Sequence, residues 1–172
     1  MDTDSVEVLL DMIVSKLENR KKLFTIYDVR NIDEYNTKMG MELSRILFAC
    51  DECAELLDKT GRSKEDKEQI TRIEGRLSTI ARQGRAFGVH LILATQRPDA
   101  NVIPGQVKNN MDYRVCGRAD SVLSQIILDS TAASDEIPKD AQGRFINHEG
   151  TVLQGFWFDV EAEFESEGGL SQ

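Results

Sequence analysis

An apolar run that ends at two adjacent carboxylates constrains the fold of this chain more than any other feature. The run covers residues 46–50 (ILFAC), and Asp51 and Glu52 follow it directly. An apolar run without polar interruption predicts a β-strand buried on both faces, as in a parallel α/β sheet. Open α/β sheets bind ligands at the carboxyl ends of their strands, where this pair would lie. The two acids fit magnesium-nucleotide hydrolysis; the alternative is an ordinary strand end followed by a helix N-terminus, where acids favour the helix dipole.

A second apolar run ends in neutral polar residues. Residues 88–93 (GVHLIL) lead into Ala94, Thr95 and Gln96, and Pro98 follows two positions later. We expect a strand over residues 89–95 that ends before Pro98, because proline offers no N–H to a sheet ladder. If this strand lies beside the first one, Gln96 could reach a γ-phosphate and the attacking water; otherwise it is a solvated loop amide.

These segments resemble a known family of motors. Residues 88–110 (GVHLILATQRPDANVIPGQVKNN) resemble the signature of the FtsK/SpoIIIE-type DNA-translocating ATPases, and residues 46–57 (ILFACDECAELL) resemble their Walker B strand and the helix after it. The resemblance extends to residues 29–36, 113–129 and 143–159. It implies an α/β, partial RecA-like P-loop NTPase fold, with a mainly parallel sheet flanked by helices and a C-terminal β-hairpin.

The resemblance also implies a role for individual residues. Asp51 would associate with Mg²⁺ through water and Glu52 would act as the general base, while Thr95 and Gln96 would contact Mg-ATP and Gln96 would sense the phosphate. Three cations in family-like segments are candidates for a contact in trans with a neighbouring subunit's phosphates or for DNA backbone contacts: Arg82, Arg85 and Lys108. The alternative for these cations is a solvated surface position.

The phosphate-binding loop of such motors is missing from this sequence. No G-x-x-x-x-G-K-[ST] motif occurs, and no glycine is followed by lysine. Without that loop there is no backbone cradle for phosphates and no lysine that reaches them. The family carries the loop upstream of the matched region, so we expect this chain to be the C-terminal part of a motor domain that hydrolyses ATP poorly on its own.

The overall charge argues against DNA binding, whereas its distribution along the chain weakens that objection. The net charge is −9, but residues 59–85 carry eight basic and four acidic side chains, while residues 148–172 contain no lysine or arginine. A motor that encircles DNA needs positive charge only where it lines the channel.

Three cysteines, an odd number, argue against a disulfide framework and favour a reducing compartment. No stretch is long and apolar enough to span a membrane, so an anchor at the inner face of the membrane would lie outside this chain. Cys50 and Cys53 form a C-x-x-C without the further ligands of a structural zinc, and we expect Cys50 to be packed in the core.

Periodicity and turn residues divide the chain into elements. A long helix is expected over about residues 5–29 with Asp4 or Ser5 as its N-cap, and a short helix capped by Asn31 should follow. Further helices are predicted at 53–59, 64–87 and 121–128, a short strand at 113–116, and a hairpin from 145–146 and 152–158. Together these make one partial motor domain over residues 1–160, in which 44–160 run from the Walker B strand to the hairpin. Residues 161–172 should form an acidic flexible tail.

The family resemblance leaves the cargo open. It implies an ATP-driven double-stranded DNA translocase for chromosome segregation or conjugation, working as a homo-oligomer, in particular a hexamer, with Mg-ATP at subunit boundaries. Residues 137–145 resemble the coupling ATPases of conjugative elements more than chromosome-segregating translocases. The alternatives are a fragment of a type VII-like protein-secretion ATPase and a non-catalytic remnant domain.

Overall fold

The computed structural model describes residues 2–96 and 103–156, which group into two compact units that meet in sequence at Asp112 and Tyr113. The described elements of the first unit are α1 (Thr3–Ile26), α2 (Ile32–Met39), β1 (Ile46–Cys50), α3 (Cys53–Leu57), α4 (Lys64–Gln83), β2 (Val89–Leu93) and α5 (Gly105–Lys108). Those of the second unit are β3 (Val115–Gly117), α6 (Ser121–Leu128), α7 (Ala132–Asp135), β4 (Arg144–Asn147) and β5 (Val152–Gln154). No helix among the described residues combines the length and hydrophobicity that crossing a bilayer requires.

The long first helix starts earlier and ends earlier than its hydrophobic pattern predicts. The N-cap is Asp2, whose carboxylate accepts hydrogen bonds from the backbone N–H groups of Asp4 and Ser5, so the assignment of the cap to Asp4 or Ser5 was wrong. The helix stops at Ile26 because the chain turns at Asp28, which has a left-handed φ of 48°. The cap of α2 was predicted correctly, since the Asn31 side chain accepts from the Glu34 N–H at 2.9 Å.

Strands β1 and β2 pair in parallel, with Ile46 opposite Val89 and Cys50 opposite Leu93. One face of this pair packs on the buried stripes of α1 and α4 and forms the core of the first unit. The core side chains from these four elements include Leu10, Leu17, Phe48, Cys50, Ile73, Leu77 and Val89.

The opposite face of the β1–β2 pair is open in the described part of the chain. Leu47 is 60% exposed and Ile92 is 52% exposed. The prediction that β1 is buried on both faces was therefore wrong. Burial alternates along the strand because the described helices cover only one face of the sheet.

A tight joint connects the end of α4 to the start of β2. The chain passes through a 3-10 turn at Arg85–Phe87, and Gly88 then takes a left-handed φ of 68°, a backbone conformation that favours glycine. Buried Arg20 of α1 braces this joint by donating to the Phe87 and Ser44 carbonyl oxygens, both at 2.6 Å. The joint and its brace fix where both strands begin, and with them where the strands end.

The second unit contains the predicted hairpin and an additional strand partner. β4 and β5 pair antiparallel, and β3 pairs antiparallel with the other edge of β4. The sequence predicted β3 as a separate short strand, whereas it joins the hairpin in a three-stranded antiparallel sheet. Helix α6 has the predicted bounds, Ser121–Leu128, and α7 was not predicted. Residues 157–158 of the predicted hairpin, and the predicted tail at 161–172, lie outside the described residues.

Candidate functional site

The two predicted strand ends meet at one edge of the parallel sheet. Beyond the last sheet residues, Ala94 N–H donates to the Cys50 carbonyl at 2.8 Å, and Cys53 N–H donates back to the Ala94 carbonyl at 2.8 Å. These two backbone bonds carry the pairing of β1 and β2 past the turn formed by Asp51 and Glu52. The acids and the Thr95–Gln96 dipeptide are therefore neighbours, which is the condition under which the sequence analysis gave Gln96 a possible place at the γ-phosphate.

Both oxygens of the Glu52 carboxylate accept hydrogen bonds from the end of β2. The Thr95 hydroxyl donates to Oε1, and the Gln96 backbone N–H donates to Oε2 at 3.0 Å. Glu52 is the N-cap residue of α3, but its side chain does not cap that helix. The Glu52 carboxylate therefore bonds to the residues that follow β2 and not to the start of α3. This contact argues against the alternative in which the acids are present only to favour a helix N-terminus.

Asp51 and the Gln96 side chain face solvent at the same edge. An exposed carboxylate offers the hard oxygen ligand that Mg²⁺ prefers, and it leaves room for the waters that Mg²⁺ retains. No group of three or more metal-ligating side chains occurs among the described residues. Asp51 thus fits a magnesium ion held through water and shared with a nucleotide, and does not fit a cage made by protein alone.

The backbone of Gln96 makes a contact that sequence reasoning did not predict. Sequence reasoning assigned the side-chain amide a place beside the phosphate, whereas the contact with Glu52 is made by the backbone N–H. Any residue except proline has a backbone N–H at this position. The identity of residue 96 therefore gives no indication of this hydrogen bond.

The thiols that flank the acid pair are packing groups. Cys50 and Cys53 are both buried. Burial raises the pKa of Cys50 above its ordinary value, and it raises the pKa of Cys53 to about 11. A protonated, buried thiol is a poor nucleophile and a poor metal ligand, in agreement with the predicted packing role of Cys50.

Two of the three candidate cations, Arg82 and Arg85, do not lie at this edge of the sheet. Arg82 is exposed in the last turn of α4, and Arg85 makes a surface ion pair with Asp112 at 2.9 Å. Both precede the start of β2, one strand length, about 16 Å, from Thr95. Lys108 is in the last turn of α5, in the same unit. Arg82 and Arg85 are therefore placed away from the acids of their own chain.

Several basic residues of the region 59–85 are engaged within the chain. Arg72 donates to Glu7 at 2.6 Å, and Arg76 pairs with Asp11 on the same helix α1. Lys59 pairs with Glu74 at 2.7 Å. Sequence analysis missed the α1–α4 ion pairs because their members are 65 positions apart, with no local pattern that joins them.

Comparisons with known proteins identify relatives over most of the chain. No protein-family model matches. DNA translocase FtsK of Chlorobaculum tepidum is 40% identical over 126 residues, which cover 72% of this chain and 15% of that protein. FtsK of Streptococcus agalactiae is 36% identical over an alignment that covers 91% of this chain and 21% of that protein. The chain thus spans about a fifth or less of the length of these relatives.

Solved structures give the fold. The conjugation coupling protein TcpA of pCW3, solved in a monomer form with ATPgS, superposes with a TM-score of 0.87 at 43% identity, covering 95% of this chain and 47% of that chain. ATPases 2 and 3 of EssC from Geobacillus thermodenitrificans superpose with a TM-score of 0.67 at 19% identity, which shows the fold alone. The predicted RecA-like P-loop ATPase fold is confirmed, in a form that combines a parallel sheet with an antiparallel one. With the FtsK sequences aligned over most of its length and TcpA over nearly all of it, this chain belongs to the FtsK/SpoIIIE family of DNA translocase ATPases, which includes the conjugative branch.

Proposed function

We propose that this chain supplies the hydrolytic strand ends of a Mg-ATP site in an ATP-driven double-stranded DNA translocase, serving conjugative DNA transfer or chromosome segregation. The observation that carries the proposal is the carboxylate of Glu52, held at both oxygens by the end of β2 while Asp51 stays exposed beside it. Such an arrangement presents two carboxylates with different surroundings at the edge where α/β sheets bind nucleotides.

Each side chain at the edge has a distinct proposed role. Mg-ATP, when bound, supplies the charge-neutralised phosphate chain on which the reaction takes place. Asp51 would hold a water of the magnesium shell, and Glu52 would accept the proton of the attacking water. Thr95 positions Glu52 through its hydroxyl, and the exposed Gln96 amide reads the γ-phosphate.

The relatives favour DNA over polypeptide as the cargo. The similarity to TcpA, at 43% identity, extends beyond the fold, whereas the similarity to the type VII ATPases, at 19%, is one of fold alone. We assign Arg82 and Arg85 to contacts with DNA phosphates or with the nucleotide of a neighbouring subunit in a hexamer, since both lie away from the acids of their own chain. Three free cysteines are consistent with a cytoplasmic location.

The test uses the full product of the native gene and one matched control. Glu52→Gln keeps the size of the side chain but removes the base and replaces one acceptor oxygen with an NH2 group, so DNA-stimulated ATP hydrolysis should fall about 100-fold or more while ATP binding is retained. Glu55→Gln, at an exposed position of α3, should hydrolyse at the wild-type rate. Equal rates in both variants would support a non-catalytic remnant. Stimulation by a secreted polypeptide rather than by DNA would support the secretion ATPase.

A further inference from the structure

The antiparallel sheet of the second unit has one face covered by helices and one apolar face that is exposed. Cys116 of β3 lies opposite Ile146 of β4, and both pack against side chains of α6 and α7. The residues between them in the register have side chains on the other face. Three apolar residues define this surface, here called the Phe145 face: Val115, Phe145 and Leu153. Val115 and Phe145 are each 39% exposed, so the Phe145 face presents a contiguous apolar surface to solvent.

Phe145 is at the centre of this surface. Gly117 lies opposite it on β3, and Gly155 follows β5 on its other side. A Cβ on either glycine would be 3.5 Å from the Phe145 ring, but neither residue has a side chain that could cover the ring. An aromatic ring on a strand, left open by its neighbours, is a rigid apolar contact of the kind enriched in protein interfaces.

Negative charge is concentrated in the same unit. Residues 113–172 contain 11 acidic and 4 basic side chains, whereas residues 1–112 contain 19 acidic and 17 basic ones. The second unit therefore carries −7 of the net charge of −9. Asp159 is five positions beyond Gln154, the last residue of β5, so the length of the chain keeps it within about 18 Å of the sheet. Four glutamates follow it at alternate positions: Glu161, Glu163, Glu165 and Glu167.

The described strands of this sheet place no positive charge on the Phe145 face. Arg144 is their one basic residue, and the alternation of side chains puts it on the face opposite to Phe145. Arg114, just before β3, pairs with Asp129 at 3.0 Å. The Phe145 face is thus an apolar surface in an acidic unit.

We propose that the Phe145 face docks a cationic, amphipathic segment of a partner protein. The apolar side of that segment would cover Val115, Phe145 and Leu153, and its lysine or arginine side chains would face the acids at 159–167. Charge complementarity selects this occupant. A unit this acidic repels DNA and anionic lipid, and a second copy of the chain would bring the same net charge of −9. The proposal uses no residue of the proposed Mg-ATP site.

The test is a binding titration of the full product of the native gene with a synthetic peptide. The probe is a fluorescent peptide of leucine and lysine, ordered so that it forms an amphipathic helix, and fluorescence anisotropy measures its Kd. A peptide of the same composition, in an order that breaks the apolar stripe, is the control for charge alone. We expect the amphipathic peptide to bind about 10-fold more tightly or better, because it alone can cover the Phe145 face with one apolar side.

Matched variants locate the binding site. Val115→Lys places a positive charge on the Phe145 face and should weaken binding of the amphipathic peptide about 10-fold or more. Val122→Lys adds the same charge at a 66% exposed position of α6 and should change the Kd by less than about 2-fold. Phe145→Ser should also weaken binding about 10-fold, because the aromatic contact is lost. Thermal unfolding checks that each variant is folded, and Val115→Lys keeps the test decisive if Phe145→Ser is not.

The acids have a separate readout. A variant with all four glutamates changed, Glu161→Gln, Glu163→Gln, Glu165→Gln and Glu167→Gln, should bind the peptide more weakly and with a smaller dependence on salt. Three outcomes would overturn the proposal: equal binding of the two peptides, equal Kd values in Val115→Lys and Val122→Lys, or a salt dependence that the glutamine variant leaves unchanged. A change of oligomeric state in Val115→Lys, measured by analytical ultracentrifugation, would also overturn it, since the surface would then be an interface between copies of this chain.

Discussion

The backbone N–H of Gln96 donates to the Glu52 carboxylate at 3.0 Å, and so joins the ends of two strands whose residues are 44 positions apart. The neighbouring Thr95 hydroxyl occupies the second oxygen of the same carboxylate. These bonds orient the carboxylate group at both of its oxygens. The residues at the end of β2 therefore position Glu52, the acid that follows β1.

Removing the Thr95 hydroxyl should weaken that positioning. We expect Thr95→Val, in the full product of the native gene, to lower DNA-stimulated ATP hydrolysis about 10-fold or more without loss of ATP binding, because the base loses one of the hydrogen bonds that orient it. Thr71→Val is a suitable control, since the Thr71 hydroxyl bonds only within α4, to the Lys67 carbonyl at 2.8 Å. An unchanged turnover number in Thr95→Val would show that the backbone bond from Gln96 suffices.

The joint before β2 should tolerate no side chain at Gly84. A Cβ there would meet the backbone oxygen of Ile80 at 2.7 Å and would approach the Val89 carbonyl still more closely. Backbone atoms cannot rotate away, so Gly84→Ala should destabilise the protein by about 1–3 kcal/mol. Gly75, within α4, has open space around it, and Gly75→Ala should stabilise the protein by about 0.5–1 kcal/mol. Chemical denaturation of the two variants measures the contrast, and equal effects would contradict it.

How far the sequence predicts this structure depends on the range of the interactions involved. The bounds of β1 and α6 and the cap Asn31 follow from local patterns, and the structure agrees. The pairing of β3 with the hairpin could not be predicted, because three residues of a short strand do not specify a partner. The open face of β1 was missed because an apolar run looks the same whether one or both of its faces are covered. Likewise, Glu52 was predicted as a site residue, but the backbone donor that holds it was not.

Arg20 should stabilise the fold through the two hydrogen bonds that its guanidinium group donates, and not only through its charge. Its guanidinium bonds the Phe87 and Ser44 carbonyls, both at 2.6 Å, and burial lowers its pKa. A lysine offers a single ammonium group that cannot reach both carbonyls in the same geometry. We expect Arg20→Lys to destabilise the protein by about 1–3 kcal/mol in urea denaturation, because a partly buried carbonyl loses its donor. Lys22→Arg, at an exposed position of the same helix, is the control and should have no measurable effect.

The two thiols beside the acid pair should report unfolding. Because burial raises the pKa of Cys50, and that of Cys53 to about 11, both should resist alkylation by iodoacetamide at pH 8 in the folded protein and react in denaturant. Mass spectrometry of labelled peptides, followed against urea concentration, should show both sites becoming reactive together at the unfolding transition. Labelling of Cys53 under native conditions would contradict the buried, protonated state.

The α1–α4 ion pairs should make stability sensitive to acid. The hydrogen bond from Arg72 lowers the pKa of Glu7 below its ordinary value of 4.5. A depressed pKa in the folded state means that Glu7 stabilises the fold above about pH 4.5, and that this contribution is lost as the pH falls through the lower, folded-state value. Glu7→Gln should therefore be less stable than wild type at pH 7, and the difference should shrink as the pH falls below 4.5. Thermal unfolding at a series of pH values measures this gap. A gap that stays constant, or widens in acid, would place the stabilising effect of Glu7 in packing and not in its charge.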